Sequence, residues 1–379
     1  MRNLRQNIAD YFRETDKLLL FLCTLASLYG AALIYSATNM YGLEQVAVQL
    51  VSLGLGLVVA VIVSLFDYSN LLKFWPIYII ASIALLLITY RFGITPVGAD
   101  NKAWLNIFGI SFQVSELIKI FMILTFAKHV SSINPKDINK LHNIILLTLH
   151  GLAAPGLVMI LQKDLGTVCV MVVIFLAMMY CAGVKLRYFA IGLGAVAVAA
   201  PFAWKFVLSE YQKQRFMVIL DLEADARGYG YQQLQSIKAI GSGGIFGQGY
   251  MQGAKTQTNG VPEAHNDFIL TVAGEELGLI GCLLVFAILV AIIIRVMYIS
   301  TVSKDTAGKI ICAGAFGMLA AQLIINTGMV MALLPVIGVT LPFFSAGGSS
   351  LVCLFISIGL VTSVYKNRFM RTMYLRDKG

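Results

Sequence analysis

The sequence predicts an all-α polytopic membrane protein of about ten transmembrane helices, with a large extracytoplasmic loop between spans seven and eight. Three observations carry that prediction. Of 379 residues, 59% are hydrophobic and only 12% are charged, against about 25% charged in a soluble domain. The apolar residues fall in runs close to the ~20 that a helix needs to cross a bilayer. Lysine and arginine gather on alternate sides of those runs, as the positive-inside rule requires.

The chain opens on a polar stretch (Arg2, Arg5, Asp10, Arg13, Glu14, Asp16) before the first apolar run, 18–37. That run exceeds the core of a signal peptide, so it reads as a retained span. Further runs at 46–66, 74–90, 113–131, 143–161, 167–184, 188–207, 268–297, 310–334 and 350–365 complete the set. Lys73, Lys128, Lys136, Lys140, Lys185, Arg187, Arg295, Lys304 and Lys309 lie on the side of the N-terminal tail, as do the cations after Lys366. Short loops on the other side hold only Arg91, Lys102 and Lys163. Both termini are therefore expected in the cytoplasm. The N-tail 1–17 and C-tail 366–379 lie inside, loop 208–266 lies outside, and 1–379 forms one integral membrane domain. The net charge of +9 records this topology, with the lipid bilayer rather than nucleic acid as the medium it meets. Cys23, Cys169, Cys181, Cys282, Cys312 and Cys353 all sit in apolar runs, as packing residues and not a disulfide framework or metal site.

Loop 208–266 is far longer than the ~15 residues above which loops are usually functional or disordered. It is neither low-complexity nor highly charged, and Ile237, Ile240, Ile245 and Phe246 suggest that it packs on the membrane face. Two other outer segments share its character. Gly93 to Phe112 carries Trp104 among glycines and asparagines, and Pro335 to Ser350 is apolar but broken by proline and glycine. Irregular backbone at membrane depth survives where protein buries it or a wet cavity receives it. An outward cavity roofed by the three segments is expected.

Several charged groups need explaining. Glu116 and Lys119 share a face of the fourth span, either as a neutralised packing pair or as groups facing substrate. Asp164 lies in the hairpin between spans five and six, where a helix-capping role competes with ligand binding. Arg215 and Lys238 are candidate phosphate contacts. His265 reads as structural, and His129, His142 and His150 as scattered. Asp267, Glu275 and Glu276 head the eighth span, with Gly274, Gly278 and Gly281 as close-packing positions. If that helix is continuous, Glu275 lies ~12 Å below Asp267. Asp267 stands out because it sits where the loop meets the helix.

At these residues the chain resembles the SEDS family (shape, elongation, division and sporulation), over essentially its whole length. Gln113 to Lys119 resembles Q-P-S-E-x-x-K, and Gln162 to Thr167 resembles Q-P-D-L-G-T, each with its proline replaced. Tyr231 to Gly249 is similar to Y-Q-x-x-Q-S-x-x-A-I-G-S-G-G-x-x-G-x-G. Pro262 to Gly278 is similar to P-E-x-H-T-D-F-I-x-x-x-x-x-E-E-x-G, with Asn266 for threonine. Pro335 to Ser350 resembles P-V-x-G-x-P-L-P-F-x-S-Y-G-G-S-S, with Thr340 for proline and Ala346 for tyrosine. The spacing from Gly249 to Pro262 resembles the elongation members of the family rather than the division members.

The resemblance implies a ten-span peptidoglycan glycosyltransferase that polymerises lipid II on the outer face of the cytoplasmic membrane. It implies Asp267 as catalytic residue, a class B penicillin-binding protein as transpeptidase partner, and other membrane proteins of the elongation machinery. The chemistry needs a base near the acceptor hydroxyl and positive charge near the lipid diphosphate. Asp267 suits the first. Lys119, Arg215, Lys238 or a divalent cation such as magnesium suits the second, with Glu116, Trp104 and Asp164 also facing substrate. The rival reading is a flippase for the same precursor. Transporters bind near the midplane on broken helices, whereas the polar groups here cluster at the outer edge.

Overall fold

The structure is a computed structural model that describes residues 14–38, 42–95, 102–107, 110–222 and 230–369. The first thirteen and last ten residues lie outside that set, with most of the charges assigned to the tails, as do Arg227 and Gly228 of the long loop. Among the described residues, eight helices are long and apolar enough to cross a membrane, which makes the chain a multi-pass membrane protein. They include α1 (Lys17–Thr38), α2 (Glu44–Leu65) and α3 (Trp75–Phe92), which a short turn from Tyr68 precedes. Next come α4 (Val114–Ser132), α5 (Leu141–Gln162), α6 (Leu165–Cys181) and α7 (Leu186–Phe202). The charged α4 and the shorter α6 occupy two of the ten expected span positions. Beyond them lie α8 (Glu210–Met217), α9 (Tyr231–Gly243), α10 (Ile269–Glu276), α11 (Gly278–Thr301), α12 (Thr306–Val330) and α13 (Gly348–Lys366).

Small residues set the centre of the bundle, because without water between helices close backbone approach is the main source of packing energy. Gly56 of α2 lies against the Phe355 ring of α13, and Gly359 of α13 against the Ala60 carbonyl of α2. Gly317 of α12 meets the Ile174 backbone of α6, and Gly314 meets Ile123 of α4. Helices α12 and α13 are accordingly the most buried spans, whereas α7 buries no residue at all. All six cysteines are free. His129 and His150 are not scattered: their Nδ1 atoms lie 2.9 Å apart, with the rings stacked.

Two expectations need correction. The outer segment before α4 is not wholly irregular: Trp104–Ile107 (β1) and Ile110–Gln113 (β2) pair as an antiparallel hairpin, with Trp104 opposite Gln113. Aromatic and β-branched residues favour that pleated form over helix. The eighth span is not one helix from residue 268. Asp267 lies in the turns before α10, and the chain breaks again at Leu277–Gly278, so continuous-helix spacing from Asp267 to Glu275 does not apply. Gly278 takes φ 66° and packs on the backbone of Ile245 and Gly247, where a side chain would collide. The glycine-rich turn enters that break and satisfies both helix ends. Gln248 and Gly249 amides donate to the Glu275 and Glu276 carbonyls, and Leu279 donates to the Gly244 carbonyl. Sequence placed Gly274, Gly278 and Gly281 correctly as close-packing positions; what it missed was why the backbone had to come so near.

Candidate functional site

The site is organised by the segment between α12 and α13. Asn326, on α12 and fully buried, donates through Nδ2 to the Asp267 carbonyl at 2.7 Å and to the Val339 carbonyl at 2.8 Å. Gly338 takes φ 69°, and a Cβ built there would stand 3.7 Å from Asp267 Oδ2. Two residues earlier, the Val336 carbonyl accepts a 2.6 Å bond from Arg215 Nη1. Ala346 donates to the His265 carbonyl at 2.9 Å. Farther along, Gly30 of α1 lies against the Phe344 backbone, and Gln49 of α2 donates to the Phe343 carbonyl at 3.3 Å. The hairpin joins through a 3.2 Å bond from the Gln113 amide to Ser349 Oγ. The three outer segments thus converge on one another.

Asp267 is half-buried, and its carboxyl is pushed up to about 7. Burial is the main cause, and Glu263 and Asp164 add repulsion while Arg215 opposes them. Asp164 caps α6, accepting from the Thr167 amide at 3.0 Å and the Thr167 hydroxyl at 2.8 Å. Its Oδ2 also takes a 3.1 Å bond from Gln113 Nε2. Burial nevertheless raises the Asp164 carboxyl, with the Thr167 bonds and Lys119 pulling the other way. The capping role and membership of the site are therefore compatible. Burial lowers His265, whose backbone rather than ring holds the segment.

Glu116 and Lys119 form a 2.8 Å ion pair with almost no exposure, and Glu116 Oε2 is buried without a hydrogen-bond partner among the described residues. Such a pair is costly to open and costly to break. Both charges act on Asp164, so a line of ionisable groups runs from Asp267 into the bundle. Trp104 is half-buried and pairs with Gln113 across the hairpin, which puts both side chains on one face. Lys238 is different. It lies on the exposed side of α9, and among the described residues no hydrogen bond or ion pair ties it to the Asp267 group.

Glu275 and Glu276, by contrast, are fully buried fasteners. Glu275 accepts from the Lys255 amide (2.8 Å), the Thr256 amide (2.8 Å) and the Thr256 hydroxyl (2.7 Å). Glu276 accepts from the Ser36 hydroxyl (2.7 Å), Gln257 Nε2 (3.0 Å) and the Met251 amide (3.1 Å). They tie the outer loop to α10 and α1. Asn326 escaped the sequence reading altogether. Its signal was there: Gln322 and Asn326, one turn apart in an otherwise apolar span, where polar side chains are expensive. Among the described residues no three His, Cys, Asp or Glu side chains gather as a metal site.

Comparison with known proteins places this geometry. The sequence pattern of the cell cycle proteins FtsW, RodA and SpoVE matches residues 16–369. The peptidoglycan glycosyltransferase MrdB of Escherichia coli K12 is 32% identical over 357 residues, which is 94% of each chain. One chain in a structure of a peptidoglycan synthase complex, concerned with coordinating polymerization and crosslinking, superposes with a TM-score of 0.81. It is 27% identical, covering 94% of this chain and 98% of that one. The rod shape determining protein RodA of Thermus thermophilus superposes with a TM-score of 0.69 at 26% identity, with the same coverage. A match through every span and every outer segment leaves one conclusion: the chain belongs to the FtsW/RodA/SpoVE family, the SEDS proteins.

Proposed function

We propose that the chain is a peptidoglycan glycosyltransferase that polymerises lipid II, with Asp267 as general base. One observation carries this reading: a half-buried carboxyl held near neutrality, fixed through its own backbone to the segment that also engages Arg215. A base poised near the operating pH transfers protons most effectively. Asp267 takes the proton from the 4-hydroxyl of the acceptor GlcNAc as that oxygen attacks the anomeric carbon of the donor MurNAc. The anomeric bond to the lipid diphosphate breaks, and undecaprenyl diphosphate leaves with inversion.

Positive charge near the diphosphate stabilises the departing oxygens. Arg215 is the cation best supported for that task, because its charge acts on Asp267. Lys119 with Glu116, Asp164 and Trp104 form the inner wall of the substrate site in this reading, and Lys238 is at most a peripheral contact. A divalent cation such as magnesium would be held chiefly by the substrate phosphates. The site opens outside the cytoplasmic membrane with both termini in the cytoplasm, which the loop charges support. A class B penicillin-binding protein is the expected partner within the elongation machinery, by analogy with the synthase complex that the fold resembles.

Detergent removes the leaflets, so it separates polymerase from flippase. Purified protein mixed with lipid II and its partner should make glycan chains even when transpeptidation is blocked with penicillin. Unchanged lipid II in that tube, together with leaflet-to-leaflet movement in vesicles, would establish the transporter instead.

A further inference from the structure

We infer that Asn326 is a positioning residue for the reaction, a single amide that sets the Asp267 carboxylate relative to the Arg215 guanidinium. This rests on Asp267 being the base, as proposed above. The connection is continuous. Asn326 Nδ2 bonds the Asp267 carbonyl at 2.7 Å and the Val339 carbonyl at 2.8 Å. Val339 follows Gly338, whose Cβ position faces Asp267 Oδ2 at 3.7 Å. The same segment reaches Arg215 through the Val336 carbonyl at 2.6 Å.

The orientation of the amide is settled by chemistry. Both neighbours are carbonyl oxygens, which can only accept, so the nitrogen must face them. Its two hydrogens serve two separate chain segments, one leading into α10 and one leading out of α12. Asn326 is fully buried on a well-packed span, so its own position is set by the bundle and not by the outer loops. Its Oδ1 is also buried and meets no donor among the described residues. Aspartate at this position would be isosteric but would turn an oxygen on two oxygens. Alanine would leave both carbonyls without their donor. Either change should let Asp267 and the Val336–Val339 segment drift apart, and a misplacement near 1 Å can cost ~100-fold in rate.

The test uses the full-length protein with its transpeptidase partner and lipid II, comparing Asn326→Ala and Asn326→Asp with wild type. Folded protein is quantified by gel filtration and partner binding. The expected result is a kcat lower by ~10-fold or more, with KM for lipid II within about threefold because the rest of the binding surface is intact. In Asn326→Asp the acidic limb of the pH–rate profile should also move to higher pH, since a second carboxylate then lies beside Asp267. A packing role alone would lower the yield of folded protein and leave the profile of the survivors unchanged. That outcome, or wild-type kcat in both folded variants, overturns the inference. Should Asn326→Ala not fold, the isosteric Asn326→Asp decides alone by the same two readouts. Asp267→Asn runs alongside: if it polymerises normally, the base assignment falls and the inference with it. If it is inactive while the Asn326 variants behave as wild type, only the inference falls.

Discussion

Asp267 and the Glu275–Glu276 pair flank one short helix, and they receive opposite treatment. Glu275 and Glu276 are surrounded by amide and hydroxyl donors, and those bonds fasten the outer loop to the bundle. Asp267 is half-buried, with Glu263 and Asp164 adding like charge and Arg215 as the countering charge. A carboxylate ringed by donors anchors the segments that supply them, whereas one raised by burial and like charge can exchange a proton near pH 7. The difference between them is the difference between a fastener and, in the mechanism proposed above, a base, and acids at the two ends of one short helix can be told apart on that ground.

Substitution by the matching amide is the sharpest way to break the comparison. Asp267→Asn should insert and bind its partner normally yet lose polymerisation by at least ~100-fold, the lower range for general acid–base catalysis. Glycan product on a gel, from lipid II supplied in detergent, reads the loss; near-normal product would falsify the base assignment. Glu275→Gln should do the reverse. It turns an NH2 group toward either the Lys255 amide or the Thr256 amide, so that a donor meets a donor on one side. A stability loss of ~3 kcal/mol is expected, read as a lower melting temperature and faster protease cleavage between residues 250 and 258. If Glu275→Gln melts like wild type, the fastener description is wrong.

Arg215 sharpens the base side. Its charge lowers the Asp267 carboxyl against burial, so Arg215→Gln should move the acidic limb of the pH–rate profile above about 7, and Arg215→Lys should move it less. An unmoved limb in Arg215→Gln would separate the two residues. The smallest effect concerns folding. A carboxyl raised in the folded state favours that state below its ordinary range, near pH 4. The contribution is lost as pH climbs through about 7. Asn cannot ionise, so the melting-temperature gain of Asp267→Asn over wild type should be larger at pH 8 than at pH 4.5. Equal differences at both would mean that Asp267 is not raised.

Much of this was legible before any coordinates. Apolar runs gave most spans within a few residues, the eighth excepted, since bilayer thickness dictates length. Asp267 could be singled out because it sits at the boundary between loop and span. The break at Gly278 was hidden because its cause is elsewhere in the chain: the turn at residues 244–249 supplies the hydrogen bonds that make a broken helix affordable. The hairpin at Trp104 was short enough to pass for loop. Lys238 looked like a phosphate contact by residue type alone, and only three dimensions put it on the exposed side of α9. The charge coupling of Asp267, Arg215 and Asp164 joins residues from three stretches of chain, which no local pattern encodes.

Beyond Tyr188 and Phe189, which pack against the core, helix α7 shows what a scarcity of neighbours does to a sequence. None of its residues is buried within the chain, so almost any greasy side chain of sufficient run length satisfies it equally well. The glycines of α12 and α13 have no such latitude, because each lies against a specific backbone or ring. In a library of single substitutions scored by growth, α7 would read as a nearly flat plateau broken only by charge. The helices at the centre would read as a row of vetoes. The information content of this protein is thus spread very unevenly over spans that look alike by hydropathy.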